Sequence, residues 1–213
     1  MLSKKITIID YGCGNILNLV RAIKYLGYET NITHDKNKII NSSYVILPGV
    51  GAFGNAMKQI EKYNLHNTIL EYAKSNKPLL GICLGMQILL SVSYEFGVHK
   101  GLGLIEGKVI KISNEKNKEI KIPHMGWNEI YPNSDKKEWK NKILNNAMIG
   151  KSFYFVHSFV CLTKNPNSTI AVCNYTGISI PAIVSVGNIF GCQFHPEKSA
   201  DNGLTILKNF CEI

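Results

Sequence analysis

Residues 78–92 read Pro-Leu-Leu-Gly-Ile-Cys-Leu-Gly-Met-Gln-Ile-Leu-Leu-Ser-Val, and this stretch decides the fold class. Its first part, Pro78 to Ile82, is a short apolar run that predicts a buried strand, and Leu84 to Val92 predicts a helix directly after it. Glycines at positions 81 and 85 permit the tight turn that such a junction needs. A strand that passes at once into a helix is the unit from which parallel α/β sheets are built.

The same alternation extends towards the N-terminus. Ile6–Ile9 and Tyr44–Leu47 are apolar runs of strand length, whereas residues 16–27 carry apolar side chains at helical spacing. Residues 53–72 are also predicted to be mostly helical. Because strands and helices alternate in this order, we expect an α/β fold with a mostly parallel, twisted sheet flanked by helices.

The second half of the chain is richer in strands and predicts extra antiparallel ones. Val186-Gly-Asn-Ile189 is typical of a tight hairpin turn, and residues 200–211 predict a closing helix. No internal repeat or linker divides the chain, so we expect a single domain over residues 1–213. Lys/Asn-rich surface loops are expected at 113–121 and 132–151. The predicted strands are 109–112, 152–160, 169–174, 182–186 and 189–194.

Composition indicates a globular protein of the cytoplasm. Hydrophobic residues make up 45% and charged residues 18% of the 213 residues, and no apolar run reaches the roughly 20 residues that a membrane span needs. The N-terminus lacks the pattern of a signal peptide. Six cysteines occur without CxxC pairs, which favours free thiols in a reducing compartment.

Charge and spacing argue against nucleic acid, metals and dinucleotides. The formal charge is +9, but the lysines are dispersed, so a Lys-rich surface or a face that docks on an acidic protein fits better. No His/Cys/Asp cluster has the spacing of metal ligands. Asp10–Asn15 invites a dinucleotide interpretation, but Leu17 stands where the third glycine is required. We expect neither a metal nor an organic cofactor.

Cys83 is the candidate nucleophile. Gly81-Ile-Cys83-Leu-Gly85 is the G-x-S-x-G elbow with sulfur in place of oxygen, and the helix that follows offers free backbone N–H groups to a thiolate. On this motif alone, a structural cysteine in a glycine-rich turn remains the alternative. The other five cysteines are expected to be structural.

His195 and Glu197 are the candidate base and orienting acid. In an extended segment residues i and i+2 point to the same side, so Glu197 can orient the imidazole while His195 faces the thiol. Pro196 stiffens the segment. A polar turn at a strand end is the alternative for this tripeptide alone. Thiol, base and acid together are the components of a cysteine acyl-transfer enzyme.

Pro48-Gly-Val-Gly51 follows the Tyr44–Leu47 strand and is a candidate for stabilising an oxyanion. Two glycines let the backbone amides of Gly49, Val50 and Gly51 approach a ligand and flip at low cost. The Leu84 amide is the other candidate donor. A simple strand-to-helix loop is the alternative.

Taken together, these motifs resemble the class I (triad) glutamine amidotransferases over nearly the whole chain, which implies a flavodoxin-like α/β fold and glutamine as the substrate. Gly-Ile-Cys83-Leu-Gly-Met-Gln87 is similar to that family's nucleophile motif, and His195-Pro-Glu197 to its His-x-Glu motif. The resemblance implies that Gln87 contacts the glutamine and that Glu95 neutralises its amino group. It also implies that the backbone at Ser158 and Phe159 holds the glutamine carboxylate.

A wider set of motifs resembles the glutaminase subunits of imidazole glycerol phosphate synthases. These motifs include Pro123-His-Met-Gly-Trp-Asn128, Tyr154-Phe-Val-His-Ser158 and His195-Pro-Glu-Lys-Ser199. The resemblance implies a heterodimer with a separate (β/α)8-barrel cyclase that receives the ammonia during histidine biosynthesis. It places four residues at or near the cyclase face: Asn15, Trp127, Tyr154 and Lys198.

The sequence departs from this pattern in places and leaves alternatives open. Ser91–Tyr94 lacks the acidic and Phe residues expected before Glu95, and Phe159 stands where Tyr is common. A related glutaminase that supplies ammonia to a synthase that amidates a cell-surface sugar is one alternative. A stand-alone cysteine γ-glutamyl hydrolase or peptidase is a second, and a non-catalytic binding module of this fold is a third.

Overall fold

The computed structural model describes residues 4–113, 120–133, 138–139, 141–145 and 148–213. Within this part of the chain, six α-helices and thirteen strands alternate along the first half and strands dominate the second. The helices are α1 (Ile16–Tyr25), α2 (Lys36–Ile40), α3 (Phe53–Lys62), α4 (Leu65–Lys74), α5 (Leu84–Ile88) and α6 (Ala200–Cys211). The strands are β1 (Lys5–Ile9), β2 (Glu29–Thr33), β3 (Tyr44–Leu47), β4 (Leu79–Ile82), β5 (Leu90–Ser93), β6 (His99–Lys100), β7 (Ile105–Lys111), β8 (His124–Pro132), β9 (Ser152–His157), β10 (Phe159–Thr163), β11 (Thr169–Tyr175), β12 (Ile178–Val186) and β13 (Ile189–Cys192).

A nine-stranded sheet forms the centre, in the order β2–β1–β3–β4–β13–β12–β11–β8–β9. The strands from β2 to β13 in this order run parallel, and every pairing from β13 to β9 is antiparallel. Strands β3 and β4 are buried along their whole length, as expected for a parallel sheet covered on both faces. The carboxyl ends of β3, β4 and β13 therefore meet at one edge of the sheet.

A second, four-stranded sheet in the order β10–β7–β5–β6 lies beside the first. The chain passes from the large sheet to the small one at Ser158, the single residue between β9 and β10. Side chains alternate between two apolar clusters, because successive strand residues point to opposite faces. Ile6 and Ile8 belong to one cluster and Ile9 to the other.

The predicted fold class is confirmed, and several element boundaries agree with the structure. Strand Tyr44–Leu47 and helix Ala200–Cys211 have the bounds that the sequence predicted. The 186–189 hairpin is also confirmed, since β12 and β13 pair antiparallel from Val186 and Ile189. The sheet is more evenly mixed than expected, with half of its pairings antiparallel.

Two predicted elements are wrong. The helix expected over residues 84–92 ends at Ile88, and Leu90–Ser93 instead pairs with β6 and β7. Residues 53–72 are mostly helical as predicted, but they belong to two helices, because Asn64 adopts a left-handed φ of 54° between them. The strand expected over 152–160 is divided at Ser158.

Two other observations complete the architecture. Most of the loop residues expected at 113–121 and part of those expected at 132–151 lie outside the described residues. Across the described ranges, no helix combines the length and the apolar character that crossing a lipid bilayer requires.

Candidate active site

Cys83 occupies the turn between β4 and α5. Its φ of 54° and ψ of −110° are strained for a residue with a side chain. A Cβ on Gly81 would lie 2.6 Å from the carbonyl oxygen of Gly85, and a Cβ on Gly85 would lie 1.8 Å from that of Leu47. Both glycines are therefore needed for the helix to leave the strand so sharply.

His195 and Glu197 follow β13, which pairs in parallel with β4. Nδ1 of His195 lies 2.8 Å from Oε1 of Glu197, and both side chains are 4% exposed. This contact leaves Nε2 of His195 for the thiol of Cys83. The structure thus brings together the nucleophile, base and acid that the sequence indicated.

The backbone around His195 is fixed from two sides. Its amide donates to the carbonyl of Tyr154 at 2.9 Å, and the hydroxyl of Ser199 donates to its carbonyl at 2.6 Å. Glu197 lies in a single 3-10 turn, Pro196–Lys198. The base is therefore held by the neighbouring strand β9 as well as by its own segment.

Electrostatics favour a protonated His195. Burial lowers its pKa, but hydrogen bonds to Cys83 and Glu197 and the negative charge of both groups outweigh burial and raise the pKa of His195 to about 10. An imidazolium beside a thiolate is the activated state of a cysteine nucleophile. Within the described residues, Oε2 of Glu197 is buried without a hydrogen-bond partner.

The thiol opens into a pocket of about 730 Å³. This volume is within the range of small-molecule sites and exceeds what a single amino acid needs. Its wall contains residues from both sheets and from the Pro48–Gly51 segment. They include Val50, Gly51, Leu84, Gln87, Glu95, Lys111, Ser158, Phe159 and His195.

The two side chains expected to bind glutamine line this pocket and are buried. Nε2 of Gln87 donates to the carbonyl of Phe159 at 3.3 Å and to Oε1 of Gln193 at 3.1 Å. Oε2 of Glu95 accepts the amide of Phe53, the first residue of α3, at 2.5 Å. One carboxylate oxygen of Glu95 is therefore engaged by a helix N-terminus, where a negative charge is favourable.

Ser158 and Phe159 also line the pocket, at the crossing between the two sheets. The carbonyl of Ser158 accepts the amide of Ile112, and that of Phe159 accepts Gln87 and Nδ1 of His157. Both carbonyls are thus turned to protein donors, which suits a segment expected to face a carboxylate.

The oxyanion candidates follow strands β3 and β4, and Val50, Gly51 and Leu84 line the pocket. A Cβ on Gly49 would meet the hydroxyl of Tyr11 at 2.6 Å and the amide of Gly85 at 2.9 Å, so Gly49 packs tightly against the elbow. Val50 is 43% exposed, and Gly51 has a φ of +100° in open space. Leu84 starts α5 beside the thiol.

Three of the four interface candidates form one surface cluster. Trp127 is 54% exposed and its ring centroid lies 6.0 Å from that of Tyr154, while the ammonium of Lys198 lies 5.9 Å above the Tyr154 ring. Asn15 borders a small cavity of about 10 Å³ that His195 and Glu197 also line. All four residues therefore lie on the side of the molecule next to the triad.

Four polar residues around the site were given no role from the sequence. Nε2 of Gln193 lies 3.7 Å from the sulfur of Cys83, and His157 and His124 form a buried pair. The hydroxyl of Tyr11 donates to the carbonyl of Pro48 at 2.7 Å. The available signal was a polar side chain in a stretch predicted to be an apolar strand, as at Gln193 in residues 189–194.

No cluster of three or more potential metal ligands occurs among the described residues. Cys161, Cys173, Cys192 and Cys211 are buried free thiols, and Cys13 is half-buried. The structural roles expected for these cysteines remain predictions.

Comparison with known proteins gives a consistent result. The family model described as glutamine amidotransferase class-I matches residues 7–213. The imidazole glycerol phosphate synthase subunit HisH 1 of Legionella pneumophila (strain Lens) is 43% identical over 210 residues, which cover 98% of this chain and 99% of that protein. Subunit HisH of Wolinella succinogenes is 42% identical over 97% of this chain and 98% of that protein. Subunit HisH of Bacillus thuringiensis (strain Al Hakam) is 45% identical over 96% of this chain and 93% of that protein.

Solved structures support the fold. A chain of PurLQS from Thermotoga maritima superposes with a TM-score of 0.73 at 18% identity, covering 99% of both chains. A glutamine amidotransferase from the same organism gives a TM-score of 0.58 at 19% identity, covering 100% of this chain and 82% of the other. At such identities the likeness concerns architecture alone.

Proposed function

The chain belongs to the class I glutamine amidotransferase family, and from this premise we propose that it is the glutaminase subunit of an imidazole glycerol phosphate synthase. It hydrolyses glutamine to glutamate and ammonia in the cytoplasm and passes the ammonia to a separate (β/α)8-barrel cyclase in histidine biosynthesis. The observation that carries the proposal is the Cys83–His195–Glu197 arrangement in a pocket of suitable size. Relatives named HisH that match over nearly their full lengths support the choice of synthase.

The first half of the reaction forms a thioester. His195, oriented by Glu197, keeps Cys83 as a thiolate, and the thiolate attacks the carboxamide carbon of glutamine. The carboxamide oxygen of glutamine becomes negative and accepts hydrogen bonds from the backbone N–H groups of Leu84 and the Gly49–Gly51 segment. Each such donor typically stabilises the transition state by roughly 3–4 kcal/mol.

The second half releases both products. His195 gives its proton to the departing nitrogen, so ammonia leaves and a γ-glutamyl thioester remains on Cys83. Water then attacks the thioester carbon, His195 accepts a proton from it, and glutamate departs as the thiolate re-forms. Gln87, Glu95 and the Ser158–Phe159 backbone hold the amino acid during both steps.

The partner contacts the face next to the triad. Trp127, Tyr154 and Lys198 offer two aromatic rings and a cation, which are favoured residue types in protein interfaces. A cyclase seated there lies near the small cavity between Asn15 and Glu197. Ammonia released from a docked subunit therefore has a short way to its consumer.

We further propose that the lone subunit is nearly inactive. The Pro48–Gly51 segment supplies the switch, because a peptide flip there replaces a carbonyl by an N–H aimed at the oxyanion. The exposed Val50 and the positive φ of Gly51 in open space support such freedom. Full glutaminase turnover by the isolated chain would refute this part of the proposal.

The decisive experiment replaces the nucleophile in the complex with the cyclase. Cys83→Ala should abolish synthesis driven by glutamine and spare synthesis driven by free ammonium. Cys13→Ala, which removes another accessible thiol, should leave both activities unchanged. Loss of both activities in an intact Cys83→Ala complex would contradict the assignment.

Two other outcomes identify the alternatives. Glutamine-driven amidation of a sugar by a different co-purifying synthase would assign the chain to the related cell-surface pathway. Hydrolysis of γ-glutamyl peptides by the isolated chain would indicate a stand-alone hydrolase.

A further inference from the structure

A chain of hydrogen bonds runs from the pocket wall to the surface through two buried histidines. Nδ1 of His157 lies 2.8 Å from the carbonyl oxygen of Phe159, and Nε2 lies 2.9 Å from Nδ1 of His124. Nε2 of His124 lies 2.8 Å from Oδ1 of Asn128, whose Nδ2 donates to the exposed carbonyl of Asn174 at 3.2 Å. The mechanism proposed above uses none of these side chains.

The carbonyl at the inner end fixes the direction of every bond. A carbonyl only accepts, so Nδ1 of His157 carries the proton and Nε2 presents a lone pair. That lone pair requires a proton on Nδ1 of His124, which leaves Nε2 of His124 as an acceptor. In the structure Oδ1 of Asn128 faces this acceptor, so a neutral pair of histidines requires the Asn128 carboxamide to turn over, with its NH₂ group towards His124 and its bond to Asn174 lost.

Both histidines lie where a neutral ring is favoured. His124 is completely buried, and its ring stacks between Phe155 and Tyr175 with centroids at 4.9 and 4.0 Å. Burial lowers the pKa of both rings, and that of His157 falls to about 3. One fixed tautomer of each ring, rather than a charge, is what the chain provides.

The inner end of the chain acts on the pocket wall. The Phe159 carbonyl receives His157 and Gln87, so both of its lone pairs are filled. Gln87 in turn bonds Gln193, whose Nε2 approaches the sulfur of Cys83. Movement of the Phe159 peptide would therefore disturb the substrate side of the site.

We propose that His157, held in one tautomer by the Phe159 carbonyl and His124, is a positioning residue that fixes the Phe159 peptide for binding of glutamine. This inference rests on the proposed glutaminase function. It assigns to the buried pair a role in glutamine affinity and none in bond making. KM for glutamine is therefore the parameter that the pair controls.

The test compares variants in the complex with the cyclase, with KM and kcat measured for glutamine. His157→Ala should raise KM roughly tenfold, since removing one partner of a buried hydrogen bond costs about 1–3 kcal/mol. kcat should change less than about twofold, because the reacting atoms keep their partners. His157→Asn places an N–H near the position of Nδ1 and should recover most of the lost affinity.

His124→Phe separates hydrogen bonding from packing. Phenylalanine retains the stack between Phe155 and Tyr175 but leaves Nε2 of His157 without its donor, so KM should rise by a smaller factor than in His157→Ala. Tyr175→Phe is the matched control, because it keeps the ring against His124 and removes only a hydroxyl that bonds Lys121. Its KM should equal that of the wild type.

Two measurements distinguish positioning from general loss of structure. The rate at which iodoacetamide alkylates Cys83 should stay at the wild-type value in each variant. ¹⁵N NMR of the wild-type chain should show His157 neutral with its proton on Nδ1; the opposite tautomer would overturn the proposal.

The remaining outcomes are equally clear. Wild-type KM in both His157→Ala and His124→Phe would overturn the inference while leaving the proposed function intact. So would a His157→Asn variant that folds but binds glutamine as poorly as His157→Ala. If the wild-type complex releases no glutamate from glutamine, the proposed function fails first and the inference fails with it.

Discussion

The two turns that follow β4 and β3 lie side by side at one sheet edge, yet they are built differently. At the β4 turn, the Cys83 amide donates to the carbonyl of Cys192 at 2.8 Å, and the Cys83 carbonyl accepts a hydrogen bond from the amide of Gln87. At the β3 turn, the chain is packed as far as Gly49, and then Val50 and Gly51 are exposed. A nucleophile gains from a fixed position, whereas an oxyanion donor that responds to a partner needs freedom. The contrast assigns rigidity to the turn after β4 and adjustability to the turn after β3.

Gly85→Ala should have the largest effect, because it breaks the rigid turn. The new Cβ would lie 1.8 Å from the Leu47 carbonyl, a backbone atom that cannot move without displacing β3. We expect a loss of more than about 3 kcal/mol in the free energy of unfolding, measured by urea denaturation. A variant as stable as the wild type would show that the turn is not fixed by this contact.

Gly49→Ala and Gly51→Ala should separate the tight and open parts of the β3 turn. At Gly49 the Cβ would press on the Tyr11 hydroxyl and the Gly85 amide, so glutaminase activity in the complex should fall roughly hundredfold. At Gly51 a Cβ meets nothing within 4 Å, but the backbone has a φ of +100°. An alanine there should therefore lower the free energy of unfolding by about 1–2 kcal/mol.

Cyclase affinity should stay within about threefold in both variants, as measured by calorimetric titration, because the predicted docking residues are unchanged. If Gly49→Ala retained full activity, the 49–51 segment would not supply an oxyanion donor. If Gly51→Ala were the more damaging of the two, steric room would matter less than backbone conformation.

A drop in pH should lower the stability of the fold through His157 in the pocket wall and not through the β3 turn. This is the smallest of the expected effects. His157 faces His124 and His195, and its pKa in the fold is about 3 against 6.5 for an ordinary histidine. The unfolded chain therefore binds the proton first, and stability falls as pH decreases. Between pH 6.5 and 5.5 His157 should account for roughly 1 kcal/mol, measured from urea midpoints.

His157→Asn should remove this part of the pH dependence. His195 acts in the opposite direction, since its pKa is raised to about 10: its stabilisation is present below pH 6.5 and is lost as pH rises through 10. An unchanged acid slope in His157→Asn would show that His157 is not the group responsible.

The sequence predicted best where local pattern and tertiary packing agree. The apolar run Tyr44–Leu47 and the amphipathic stretch Ala200–Cys211 have the bounds read from their residues. The helix predicted over residues 84–92 was too long, because the apolar side chains of Leu89 and Leu90 suit a helix or a strand equally. Pairing with β7 makes Leu90–Ser93 a strand. Strand β2, with the sequence Glu-Thr-Asn-Ile-Thr, was missed because an edge strand lacks a continuous apolar run.

The candidate site shows the same division. Cys83, His195 and Glu197 could be predicted from local motifs. The glycines beside Cys83 indicate a tight turn, and the spacing of His195 and Glu197 places both side chains on the same side of an extended segment. The contacts of Gln193, His157 and His124 could not be predicted, since each partner comes from a part of the chain that is distant in sequence. No pattern within one strand reports that a polar side chain will meet another across the fold.

The single-residue crossing at Ser158 has a mechanical consequence. The large sheet ends at His157 and the small sheet begins at Phe159, and the pocket borders both. A glutamine held against Ser158 as proposed, and by Glu95 from the small-sheet side, would contact both sheets and restrict their motion relative to each other. Substrate would then stiffen the enzyme across the seam, and the empty subunit would be the more compliant one.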